Sequence, residues 1–116
     1  MNIAIDIDGI LTIETEGHSY SKRTPNLENI KRINELYNAG YDTTLFSSRH
    51  PSDWNVTVRW LEKHGVLYGG LVLGKLKYDL LIDDKSLPYV EEHKYLDYNF
   101  HNTCWRYTNT DFIPKK

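Results

Sequence analysis

Two stretches of the chain end an apolar run in acids: Asn2-Ile3-Ala4-Ile5-Asp6-Ile7-Asp8-Gly9 and Tyr78-Asp79-Leu80-Leu81-Ile82-Asp83-Asp84. Four carboxylates gathered at the ends of buried strands would repel one another and lose hydration unless a cation lay between them. Oxygen donors suit a hard divalent ion, and magnesium, which keeps several of its waters, is the first choice. Asp6 and Asp8 are two residues apart, so on an extended segment they face the same side. One carboxylate can then hold a metal and attack phosphorus while the other shuttles a proton to the leaving oxygen. A plainer alternative has one aspartate capping the turn at Gly9. Asp83 and Asp84 are adjacent and would face opposite ways on a regular strand. Asp83 is expected to reach the metal directly, with Asp84 acting through water or a loop amide. This chemistry is magnesium-dependent handling of a phosphoryl group.

Other groups fit the same chemistry, each with an ordinary alternative. Ser47 closes an apolar run, where its hydroxyl and the amides that follow, starting at Ser48, can hold phosphate oxygens; serine is also a common turn residue. Lys75, after Gly74, can neutralise charge on a transferring phosphoryl group or simply be solvated. Arg49 is open between a substrate contact and a salt bridge. Asp79 reads as a cap or a pairing residue at a strand start. The five histidines lack the spacing of a zinc site. The chain also has no Gly-x-x-x-x-Gly-Lys loop, which argues against a P-loop nucleotide triphosphatase.

The elements that must position these groups alternate. Aliphatic runs predict strands buried on both faces at residues 2–8 and 79–82, and further strands are read at 41–46 and 70–73. Residues 11–22 are polar and read as a flap or irregular hairpin. Thr24-Pro25 predicts a helix start, with Leu27, Ile30, Ile33, Leu36 and Tyr37 at helical spacing and Gly40 as the stop. A second helix is predicted from Pro51-Ser52-Asp53, burying Trp54, Val58 and Leu61 and ending at Gly65. Residues 86–95 suggest a third helix and 103–108 an edge strand. This order predicts an α/β fold: a Rossmann-like, mostly parallel sheet with helices on both faces. Ligands of such sheets bind beyond the carboxyl ends of the strands, where Asp6, Asp8, Ser47, Ser48, Arg49, Lys75, Asp83 and Asp84 fall.

At 116 residues the expectation is one domain, residues 1–116, with an aromatic extension over 96–116. A formal charge of −2 gives no support to a nucleic-acid partner, since such modules carry a basic excess. The single cysteine excludes an internal disulfide. No basic segment leads into an apolar stretch at the start, and no run approaches the roughly 20 apolar residues of a membrane span. A cytoplasmic protein without membrane contact is therefore expected.

Taken in order, Ile5-Asp6-Ile7-Asp8-Gly9-Ile10-Leu11-Thr12, Leu45-Phe46-Ser47-Ser48-Arg49, Lys75 and Ile82-Asp83-Asp84 resemble the four motifs of the haloacid dehalogenase-like hydrolases. Trp60-Leu61-Glu62-Lys63-His64-Gly65-Val66 and the stretch from Gly74 to Lys85 look like the small capless members associated with capsule and polysaccharide biosynthesis. The resemblance covers roughly residues 1–90. It implies Asp6 as a nucleophile forming an aspartyl-phosphate and Asp8 as general acid and then base, its backbone carbonyl helping to bind magnesium. It further implies Ser47 and Lys75 on the phosphoryl group, and Asp83 with Asp84 completing the metal shell. Ile10 stands where that family usually has threonine or valine. The motifs lie too close for a cap domain, so the site should be open unless residues 11–23, the tail or a second subunit of a homo-oligomer covers it. The expected activity is hydrolysis of a small phosphate monoester, a sugar phosphate or nucleotide. The competing expectation is a protein of the same fold that sequesters a phosphorylated or nucleotide-like small molecule without turnover.

Overall fold

The computed structural model of the chain describes residues 2–86. The chain groups into two compact units, residues 1–77 and residues 78–116, the second described over 78–86. The first unit runs β1 (Asn2–Ile5), α1 (Leu27–Asn38), β2 (Asp42–Phe46), α2 (Trp54–Lys63) and β3 (Gly70–Val72). The fold is α/β. Its three strands form a parallel sheet in the order β1-β2-β3, with Ile5 opposite Leu45 and Leu45 opposite Leu71. Parallel neighbours need a long crossover, and α1 and α2 supply one each.

Burial alternates along the strands, in place of the two-sided burial that the aliphatic runs predict. Ile5, Ile7, Thr43 and Leu45 are buried, whereas Ala4 and Asp42 are exposed, as are Phe46 and Val72 at 37% and 46%. The buried side meets both helices: Ile30 and Ile33 of α1 and Trp60 and Leu61 of α2 join Ile5, Ile7 and Leu45 in one core. Each such side chain, fully buried, stabilises the fold by about 1.5–3 kcal/mol. Thr43 brings a hydroxyl into this core without a hydrogen-bond partner.

Both helices begin differently from expectation. Thr24 does not cap α1, because its amide and hydroxyl bind the Glu14 carboxylate at 2.7 and 2.6 Å. Asn26 caps instead, its side chain accepting from the Asn29 amide. Leu27 and Tyr37 lie outside the buried stripe, which is Asn29, Ile30, Ile33 and Leu36. Pro51–Asp53 forms a 3-10 turn that feeds α2. There the buried positions are Thr57, Trp60 and Leu61; Trp54 is exposed and Val58 half-buried. The flap expected at residues 11–22 contains a 3-10 turn at Tyr20–Lys22 and isolated bridges joining Thr12 to Asp8 and Pro25.

The strand predicted at residues 79–82 does not form. Leu80, Leu81 and Ile82 are 76%, 46% and 91% exposed. Strand preference is mostly a preference for a pleated, half-buried surface, and aliphatic side chains left in solvent gain nothing from it. The predicted strand at 103–108 and the predicted helix beyond Ser86 lie outside the described residues. Among the described residues no helix is long and apolar enough to cross a membrane.

Candidate functional site

Asp6, Ser47 and Lys75 each follow the carboxyl end of a strand of the same parallel sheet, so the fold brings them to one edge. Asp6 comes directly after β1 and Ser47 directly after β2. Beyond β3 the chain is stitched back to the β2 loop: the Ser47 amide donates to the Val72 carbonyl, and the Lys75 amide to the Ser47 carbonyl, both at 2.9 Å. Gly74, at φ +86°, makes the turn that permits this, and its amide donates to the Arg49 carbonyl at 2.8 Å. The Lys75 ammonium lies 5.2 Å from the Phe46 ring centroid. Ser47 is buried, its Oγ accepting from the Arg49 amide at 3.1 Å, and Ser48 is half-buried.

Asp6 keeps a solvent-facing side, and its Oδ1 accepts from the Ile7 amide at 2.8 Å. The protein packed around the strand ends strips part of its hydration and pushes its pKa above the usual carboxylate value. Lys75 pulls in the opposite direction. The Gly74 and Lys75 amides donate to the Arg49 and Ser47 carbonyls, and Arg49 in turn binds Asp8, so these groups gather at the strand edge that Asp6 follows.

Asp8 has a different environment. The Ile7 carbonyl accepts from the amides of Ile10, Leu11 and Thr12, folding the chain tightly after β1. Gly9, at φ +93°, takes the turn; a Cβ there would stand 3.1 Å from the Thr15 methyl. The Asp8 carboxylate is thereby presented to two arginines. Arg49 donates Nε to Oδ2 at 2.9 Å and Nη2 to Oδ1 at 2.8 Å, while Arg23 donates Nη1 to Oδ1 at 2.9 Å. Both guanidiniums are almost fully buried. Of the two readings of Arg49, the structure realises the salt bridge: its third nitrogen, Nη1, donates to Thr57 Oγ1 at 2.9 Å. The Asp8 carboxylate, expected to act as general acid and base, accepts from arginine on both oxygens.

Arg23, Tyr20 and Thr57 complete this cluster and carry no local sequence signal. The contacts that gather them with Arg49 and Asp8 span 8 to 41 residues, and Tyr20 lies in the polar stretch read only as a flap, with Arg23 directly after it. Asp83 and Asp84 belong to the second unit, where both are exposed and Asp83 Oδ1 accepts from the Lys85 amide at 3.1 Å in a turn. Among the described residues no group of three or more His, Cys, Asp or Glu side chains gathers as a metal site. The donors of the first unit fit a sparser mode, in which a hydrated hard cation is held by one or two protein oxygens. Asp6, with an oxygen free of backbone contact, suits that mode; the arginine-bound Asp8 side chain does not.

No protein-family model and no curated protein matches the sequence. Among solved structures, the crystal structure of an MCSG target from Vibrio cholerae is similar, with a TM-score of 0.71 and 21% identity over 96% of this chain and 97% of that one. A chain in the structure of the Pnkp1/Rnl/Hen1 complex is also similar, with a TM-score of 0.58 and 21% identity over 67% of this chain. This chain spans 30% of the length of that one. At such identities the likeness establishes the α/β fold and nothing of the chemistry.

Proposed function

We propose that the protein is a magnesium-dependent phosphatase acting on a small phosphate monoester, a sugar phosphate or nucleotide. The fold would be a Rossmann-like member of the haloacid dehalogenase-like hydrolases, without a cap domain, in which a helix on the second face of the sheet would join the two that line the first. The observation that carries this reading is the meeting of Asp6, Asp8, Ser47 and Lys75 at the carboxyl edge of a parallel sheet. In this reading an Asp6 oxygen attacks phosphorus and the ester oxygen leaves, taking a proton from Asp8; water then releases phosphate from the Asp6 acyl-phosphate. Ser47, the Ser48 amide and Lys75 hold the phosphoryl oxygens, and Arg49 acts through Asp8 rather than on the substrate. Magnesium would be held by Asp6 and the main-chain carbonyl of Asp8, and when bound it supplies positive charge that offsets the phosphoryl oxygens.

A second reading, binding without turnover, is favoured by one observation. Both Asp8 oxygens already accept from buried guanidiniums, so carrying a proton requires one of those contacts to open. A screen of phosphometabolites with magnesium separates the two. The phosphatase reading expects phosphate release by the native protein, none by Asp6→Asn, loss on adding EDTA and recovery with magnesium. Calorimetric binding of a phosphometabolite that stays intact would establish the sequestering role instead.

A further inference from the structure

Two guanidiniums from separate parts of the chain converge on one carboxylate, and neutralising Asp8 needs only one of them. Arg49 meets Asp8 through a two-point fork, Nε to Oδ2 and Nη2 to Oδ1. Such a fork fixes the plane of a carboxylate as well as its distance. Arg49 is itself fixed. It is 2% exposed, its remaining nitrogen is bound by Thr57 of α2, and its guanidinium carbon lies 3.9 Å from the Tyr20 ring centroid. Arg23 adds a third contact to Asp8 and donates Nε to the His18 carbonyl at 3.0 Å and Nη1 to the Glu14 carbonyl at 3.2 Å. Its own carbonyl accepts from Trp60 Nε1 at 2.9 Å. The Asp8 carboxylate is thus tied to the segment after β1, to the β2 loop and to α2.

We infer that Arg49 is a positioning residue that holds the Asp8 carboxylate in one orientation beside Asp6, with Tyr20 and Thr57 locking Arg49 in turn. Its catalytic meaning rests on the phosphatase reading above; the clamp itself does not. A lysine at position 49 would keep the charge and lose the planar fork, so charge and orientation are separable.

The test compares native protein, Arg49→Lys, Tyr20→Leu and Tyr20→Phe in magnesium-dependent release of para-nitrophenol from para-nitrophenyl phosphate. Arg49→Lys is expected to lower kcat roughly tenfold to a hundredfold, the scale of a misplaced catalytic group, while KM stays within about twofold. Tyr20→Leu should lower kcat less, and Tyr20→Phe, which keeps the ring, should recover most of that loss. An unchanged kcat in Arg49→Lys, or a rise in KM alone, would overturn the inference. A turnover-independent arm follows the Arg49 Nε–H resonance by NMR in uniformly 15N-labelled protein. Protection from solvent exchange in the native protein, lost in Asp8→Ala, supports the clamp; equal protection in both overturns it. Asp8→Asn, which keeps a single acceptor oxygen, serves if Asp8→Ala does not fold and should weaken protection in the same direction. If the native protein releases no para-nitrophenol and no phosphate from any metabolite, the phosphatase reading falls by itself, and the NMR arm decides the clamp.

Discussion

Residues 2–8 and 78–84 are close to interchangeable as text: each is an aliphatic run that stops at a pair of acids. In the structure their local surroundings differ. The first forms β1, buries Ile5 and Ile7 against two helices, and delivers Asp8 to two buried arginines. The second forms no strand, exposes Leu80 and Ile82, and leaves Asp83 and Asp84 in a turn. The difference lies in what meets each run. A strand needs a ladder partner and a face to bury, and a carboxylate taken out of water needs a countercharge. Neither requirement is written within the run itself.

The sharpest way to break this comparison is to remove one acid from each region. Asp8→Ala leaves Arg23 and Arg49 buried without their countercharge and should cost about 3–5 kcal/mol in urea unfolding. Asp83→Ala, at an exposed turn, should stay within about 0.5 kcal/mol. Equal losses would remove the distinction. The aliphatic residues form a second pair. Leu45→Ala, fully buried, should cost about 2–5 kcal/mol, whereas Leu80→Ala should cost less than about 0.5 kcal/mol.

A smaller effect of opposite sign is expected inside the core. Thr43→Val replaces a buried hydroxyl that has no partner with a methyl of the same shape, and should leave stability unchanged or raise it by about 1 kcal/mol. A clear loss would mean that the hydroxyl has a partner after all. The smallest effect concerns the segment after β1. The Thr24 hydroxyl, and then its amide, hold the Glu14 pKa below its ordinary 4.5. The stability this contributes is fully present above that ordinary value and is lost as pH falls through the lowered one. The Tm advantage of native protein over Glu14→Gln should therefore be flat near neutrality and shrink only below about pH 4.5. An advantage that shrinks near pH 6 would point to a different group.

Periodicity is enough to order β1, α1, β2 and α2, because each buries side chains at the spacing its geometry demands, and the short apolar run of β3 follows them. It also placed Asp6, Ser47 and Lys75, since a parallel sheet puts the ends of all its strands on one edge. Thr24-Pro25 misled because a good cap sequence can be claimed by another partner, here Glu14, leaving Asn26 to cap α1. The arginine clamp was illegible for a related reason. Arg49 reaches Asp8 and Tyr20 only once the α1 crossover closes, and no local pattern records contacts across 15 or 41 residues. Strand 79–82 was misread because composition alone cannot say whether a run will find a surface to lie on.

The central claim, that Asp6 is poised to take a phosphoryl group at this strand edge, is tested most directly by chemical trapping. Native protein incubated with acetyl phosphate and magnesium, quenched in acid and reduced with borohydride, would be mapped by peptide mass spectrometry. The account predicts reductive modification at Asp6, absent without magnesium and absent in Asp6→Asn. Modification at another carboxylate, or none in protein that is turning over substrate, would contradict it.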